Sequence, residues 1–237
     1  MKSRSRILAL VTASALVALS LAGCRPAFVT GPLASVSPEI ADVTAVELDT
    51  NGDVVITEGE PSLTITAPEG VIGRLTADVV AGTLVLGRTG GPMPVIGRVT
   101  YQLTVPSLEA ITVNGSGDVR STVSADTLRI EIEGSGDVEV TGIASTDVRV
   151  EVSGSGDVEL SGTAESLTVE LEGSGEIDAS GLVVRDAVVE VTGSGDVDVH
   201  ATETLRAEVS GSGDIRYSGS PDVDSRVTGS GDIEPSH

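Results

Sequence analysis

The stretch IEIEGSGDVEV, residues 130–140, sets two alternating apolar/polar runs on either side of Gly-Ser-Gly-Asp, and close copies of it recur to the end of the chain. GSG followed by an acidic residue begins at Gly115, Gly134, Gly154, Gly173, Gly193, Gly211 and Gly229, at spacings of 19, 20, 19, 20, 18 and 18 residues. A fixed period of this length is the signature of a solenoid or other repeat array, in which one supersecondary unit is stacked on the next. After each corner comes a β-branched residue (Val119, Val138, Val158, Ile177, Val197, Ile215, Ile233) and then a charged one (Arg120, Glu139, Glu159, Asp178, Asp198, Arg216, Glu234). This is the period-2 pattern of a half-buried strand. Before each corner runs a second alternating strand, with apolar columns at Leu128, Ile130, Ile132, at Val148, Val150, Val152 and at Leu167, Val169, Leu171. It continues through Ala187, Val189, Val191 and Leu205, Ala207, Val209, then weakens at Val223, Ser225, Val227, where a serine enters the column. Small polar runs such as TGIAST (141–146) and SGTAES (161–166) suit a second corner.

Two architectures hold such a unit: a parallel β-helix with coils of about 18–20 residues, or an antiparallel β meander whose hairpins are closed by GSGD. Columnar identity favours the β-helix, because stacked coils bring each residue within about 4.8 Å of its own kind, whereas a meander separates equivalent turns by two strands. The corner glycines are expected to supply positive φ, and the serine hydroxyl to satisfy a backbone group there. With 39% hydrophobic but 1% aromatic residues (Phe28, Tyr101 and Tyr217 are the only rings), the core must be Val, Ile, Leu and Ala. Burial of each contributes roughly 1.5–3 kcal/mol, so several coils must stack before the fold is stable.

The N-terminus carries Lys2, Arg4 and Arg6, then an apolar run from Ile7 to Ala22. That run is shorter than the ~20 residues of a spanning helix and reads as a signal peptide over residues 1–23. Leu21-Ala22-Gly23-Cys24 resembles the bacterial lipobox, and the resemblance implies cleavage before Cys24 and lipid attachment to its sulfur. Cys24 is the only cysteine, so no disulfide forms within the chain. Residues 24–39 read as the lipidated cysteine and a flexible tether, and 40–237 as one domain, with 40–114 an irregular lead-in to the GSGD repeats at 115–237. Removal of residues 1–23 leaves 11 arginines against 36 acidic residues, a net charge of −25. Nucleic acid is excluded as a partner, and a membrane is reached through the lipid on Cys24 instead of surface charge.

Within the lead-in, VELDTNGDVVITEG (46–59) repeats the strand–corner–strand order, with Asn51-Gly52-Asp53 in the GSGD place. VELDTNGDVVITEGEPSLTITAPE, then AGTLVLG, then YQLTVPSLEAITVNGSGDV (101–119) and the GSGD repeats resemble the auto-transporter adhesin head "GIN" domain family of bacterial lipoproteins. The resemblance implies a right-handed parallel β-helix and carries over no catalytic residues. Glu176 in place of aspartate, and the early corners at Gly211 and Gly229, are departures from its pattern.

Asp118, Asp137, Asp157, Glu176, Asp196, Asp214 and Asp232 would form a column along one edge, which could take Ca²⁺ or simply accept from backbone N–H groups at the corner. Exposed like charges ~4.8 Å apart repel by only about 1 kcal/mol in water, so no cation is needed to tolerate them. The acidic residue after GSG argues against a phosphate nest. A polysaccharide-active enzyme would want aromatic platforms and an asymmetric acidic pair; only Tyr101 and Tyr217 are available, and His200 and His237 make neither a triad nor a zinc site. The expectation is therefore a lipid-anchored, non-enzymatic, acidic β-helix outside the cytoplasmic membrane, without cofactor, contacting an unidentified protein or glycan and able to associate end to end. A cation-binding surface protein is the alternative.

Overall fold

The computed structural model describes residues 31–90 and 98–236. The signal segment, Cys24, Phe28 and His237 lie outside the described residues. The lead-in comprises β1 (Leu33–Val36), β2 (Ala45–Leu48), β3 (Asp53–Glu58), β4 (Ser62–Pro68), the short helix α1 (Glu69–Ile72), β5 (Leu75–Val80), β6 (Thr83–Arg88), β7 (Thr100–Val105) and β8 (Ala110–Val113). The repeats follow as β9 (Val119–Ser121), β10 (Thr127–Ile132), β11 (Val138–Gly154), β12 (Val158–Gly173), β13 (Glu176–Gly193), β14 (Asp196–Gly211), β15 (Ile215–Gly219), β16 (Asp222–Gly229) and β17 (Ile233–Pro235).

From β8 onward every ladder is parallel and joins equivalent residues: Ile130 pairs with Val150, Val150 with Val169, Val169 with Val189, and Val189 with Ala207. The chain is a parallel β-solenoid, so the meander is set aside. The apolar columns read from the sequence are the core, and Ile132, Val152, Leu171, Val191 and Val209 are all buried. In β11, β12, β13 and β14 the second corner is not a loop. β11 runs unbroken through TGIAST, and its ladder to β12 absorbs the bend as a register shift between Val140 and Ile143. Small side chains let the strand bend while its backbone groups stay paired with the neighbouring coil.

The lead-in stacks out of chain order. β2 lies between β6 and β8, and β3 between β7 and β9, all parallel, so the first coil is sandwiched between the second and the third. Beyond that second coil the parallel stack stops. β4 pairs antiparallel with β7 and β1, and β5 folds back on β6 through a two-residue turn at Ala81 (φ 51°) and Gly82 (φ 87°), a type I′ geometry. This end is covered. β1 lies inside the segment expected to be a tether, because the outer edge of β4 offers it backbone partners and Thr66 meets Ser35 at 3.0 Å between hydroxyls.

The opposite end is bare: among the described residues β16 pairs only with β14, and β17 only with β15. Val227 there is 44% exposed. Eight strand steps separate β6 from β16, roughly 38 Å at about 4.8 Å per step.

Candidate functional site: the acidic corner

Each corner is built by direct backbone stacking. The amides of Ser135, Ser155, Ser174, Ser194, Ser212 and Ser230 donate to the carbonyl of the first glycine one coil earlier, at 2.8–3.2 Å. Positive φ is needed at the first glycine of the corner from Gly154 onward, for example Gly173 at φ 148°. At the second glycine the reason is different: a Cβ on Gly175 would press on the carbonyl oxygen of Gly156. Glycine is there because two backbones approach too closely for any side chain. Asn51-Gly52-Asp53 occupies the same place, since a Cβ on Gly117 would strike the carbonyl of Gly52 and Val54 pairs with Val119.

The predicted column of Asp118, Asp137, Asp157, Glu176, Asp196, Asp214 and Asp232 is brought together along one edge, and its aspartates have a task. Oδ1 of Asp137 accepts the amide of Asp157 (3.1 Å), Oδ1 of Asp157 that of Glu176 (2.8 Å), Oδ1 of Asp196 that of Asp214 (2.9 Å) and Oδ1 of Asp214 that of Asp232 (2.9 Å). Asp118 does the same more weakly for Asp137, at 3.4 Å. Each carboxylate thus holds the next coil's corner. The serine hydroxyls, expected to fill this role, make no hydrogen bond among the described residues and point outward as an exposed row. The ladder breaks at Glu176: the amide of Asp196 goes to the carbonyl of Gly175 at 3.3 Å instead. Glutamate carries one methylene more than aspartate. Glu176→Asp should restore the missing bond and stabilise the protein by about 1 kcal/mol, read as a higher melting temperature; a lower one would contradict this account of the ladder.

Beside the column lies a shallow groove of about 320 Å³, walled by Asp118, Asp137, Asp157 and Glu176 and by the outward residues Glu139 and Glu159 of the following strands. Arg120 crosses it to Glu139 at 3.2 Å. Further along the same face, burial pushes the Asp198 carboxyl above its ordinary range, opposed by Arg216 and reinforced by Asp178 and Asp196. Among the described residues no three His, Cys, Asp or Glu side chains are arranged to hold one metal ion.

A second acidic ladder escaped the sequence reading. Asp147, Ser166, Asp186, Thr204 and Asp222 stack at the other corner, and the hydroxyls between the acids donate to them, Ser166 to Asp147 at 2.6 Å and Thr204 to Asp186 at 2.5 Å. The signal was the alternation of acid and hydroxyl at one repeat position. On the outward face, arginines bridge coils diagonally, Arg129 to Glu151 at 2.8 Å and Arg149 to Glu170 at 2.7 Å. At these exposures each is worth at most about 1 kcal/mol.

Tyr101 offers no face to a sugar. Tyr101 is wholly buried and its hydroxyl has no hydrogen-bond partner among the described residues. Burial raises its pKa, partly offset by nearby Thr50, whose Oγ1 is already engaged by the amide of Gly52 at 3.3 Å. Tyr217 packs half-buried against the core. His200 is half-buried too. It stacks between Val183 and Ser218, and its Nδ1 meets the Ser218 hydroxyl at 2.9 Å.

This solenoid with its glycine corners matches a family model described as "Putative auto-transporter adhesin, head GIN domain" over residues 42–221. The chain belongs to the GIN-domain family. Among solved structures the GIN domain here is similar to a putative adhesin from Bacteroides fragilis, at 26% identity and a TM-score of 0.82, covering 88% of this chain and 99% of that one. It shares its fold with a putative lipid binding protein from Parabacteroides distasonis, at 24% identity, a TM-score of 0.72 and coverage of 89% and 99%. A putative adhesin from the same organism has 23% identity and a TM-score of 0.70, with coverage of 88% and 99%. No protein with a curated description matches the chain. Among the described residues of the GIN domain, no helix is long and apolar enough to cross a membrane.

Proposed function

We propose that the protein is a lipid-anchored, non-enzymatic, acidic rod of the cell envelope that acts outside the cytoplasmic membrane as an adhesin-like interaction module. The observation that carries this reading is the position of β1. It packs on β4 at the covered end of the stack, so the described chain starts at that end of the solenoid. Eight residues lie between Cys24 and Leu33, a reach of at most about 30 Å over nine steps of the chain. A lipid on Cys24 would therefore hold the covered end near a bilayer and leave the groove, the acidic faces and the bare last coil pointing away from it. The corner carboxylates are employed by the backbone, which supports a structural role for them over catalysis or cation storage. Membership of an adhesin family supports the interaction role.

Replacement of Cys24 by serine tests the anchor. The variant should leave the membrane fraction or accumulate as uncleaved precursor, while the wild-type protein partitions into the detergent phase. Identical detergent partitioning of the two proteins would remove the lipid from the proposal.

A further inference from the structure

The bare end of the stack carries a self-complementary strand. β16 reads Asp222-Val223-Asp224-Ser225-Arg226-Val227-Thr228-Gly229. In an antiparallel pairing of two copies centred on Ser225, Asp224 of each faces Arg226 of the other, and Val223 faces Val227. Directly opposed residues share a face of the sheet. Asp224 and Arg226 stack on the outward Arg206 and Glu208, so their pairs lie outside, whereas Val223 and Val227 stack on buried Leu205 and Val209 and continue the core. From these observations we propose that the protein forms a two-fold dimer through the open edge of β16, a second copy of this chain being the occupant.

Three features select this partner and symmetry. An unpaired parallel edge presents N–H and C=O groups that another strand satisfies at once. Head-to-tail stacking would set β16 on the outer edge of β5, which runs antiparallel to β6, so the parallel ladders of the solenoid would not continue across the junction. β17, the remaining edge at the bare end, is three residues long and includes Pro235, which has no N–H to donate. The contact is therefore isologous: each pair occurs twice, and each substitution counts twice. If Cys24 is lipidated, as proposed above, the dimer places the two anchors at opposite ends of a double-length rod, as a bridge between two facing surfaces requires. The dimer itself depends only on β16, and its failure would leave the anchor untouched.

The test is sedimentation velocity at physiological salt on residues 24–237 carrying Cys24→Ser, which contain every described residue. The wild-type sequence should shift from monomer to dimer as concentration rises. Arg226→Asp and Asp224→Arg should each weaken the dimer at least tenfold, since each sets two like-charge pairs at the contact. Arg226 also approaches Glu208 of its own chain at 3.8 Å, so either single variant could loosen the last coil instead. The double swap Asp224→Arg with Arg226→Asp keeps both of those in-chain disturbances but restores both pairs across the two-fold. It should recover the dimer to within a few-fold of wild type. A wild-type monomer at all concentrations, growth beyond the dimer, or a double swap as weak as the single variants would overturn the proposal.

Discussion

Gly173→Val is expected to cost the protein roughly 2–6 kcal/mol, and Gly229→Val less than half as much, although the two glycines are locally alike. Their φ values are 148° and 142°, and a Cβ on either would press on the carbonyl of the glycine one coil earlier, Gly154 or Gly211. A β-branched residue at such a φ is strained by about 1–3 kcal/mol, and overpacking adds about 1–3 more. Position makes the difference. Gly173 lies between the coils of Gly154 and Gly193, so any relief of the clash opens ladders on two sides, whereas in the monomer the coil of Gly229 has a neighbour on one side only. In a one-dimensional stack a terminal unit can detach without dissolving the rest. Denaturation midpoints of the two variants measure this, and equal losses would show that the coils do not behave as a stack.

The second large effect belongs to the corner carboxylates. Asp157→Ala should destabilise by about 1.5–3 kcal/mol, because it removes a charged acceptor from the Glu176 amide at 2.8 Å. Asp157→Asn, which keeps an acceptor oxygen, should lose less than half of that. Ser155→Ala, two residues earlier at an exposed hydroxyl without a bond, should fall within about 0.5 kcal/mol of wild type. Ranked by melting temperature from lowest to highest, the expected order is Asp157→Ala, then Asp157→Asn, then Ser155→Ala. A Ser155→Ala loss as large as that of Asp157→Ala would return the role to the hydroxyl.

Much of this was legible in the chain because the period writes each contact many times over. Val150 stands over Val169 for the same reason that GSG stands over GSG, so one repeat predicts the next, and even the degenerate Asn51-Gly52-Asp53 falls into its column. Periodicity says what repeats but not which repeat is the neighbour. Nothing in VELDTNGDVVITEG says that its two strands sit between β6 and β8 and between β7 and β9, since all three pairs present the same kinds of edge. The fate of single side chains was also hidden. Tyr101 counted among the available rings because sequence gives no depth, whereas in the fold it is buried on β7 beneath the pairing with β4. The carboxylate and the serine of each corner both offer oxygens; only the geometry assigns the amide to Asp157 and leaves Ser155 free. The break at Glu176 was visible as a letter, but its consequence, an Asp196 amide diverted to Gly175, needed the neighbouring coil.

Calcium titration of the melting temperature distinguishes an acidic column that serves the backbone from one that takes up a cation. A ligand bound only by the folded state stabilises by about 2.7 kcal/mol at one hundred times its dissociation constant. For a chain of this size that corresponds to a rise of roughly 5–10 °C. For residues 24–237 carrying Cys24→Ser a change of no more than about 1 °C is expected between chelator and millimolar calcium, the size of a screening effect on exposed charges; this is the result for a column employed by the backbone. A rise of several degrees that saturates with calcium and disappears in Asp157→Asn would contradict it.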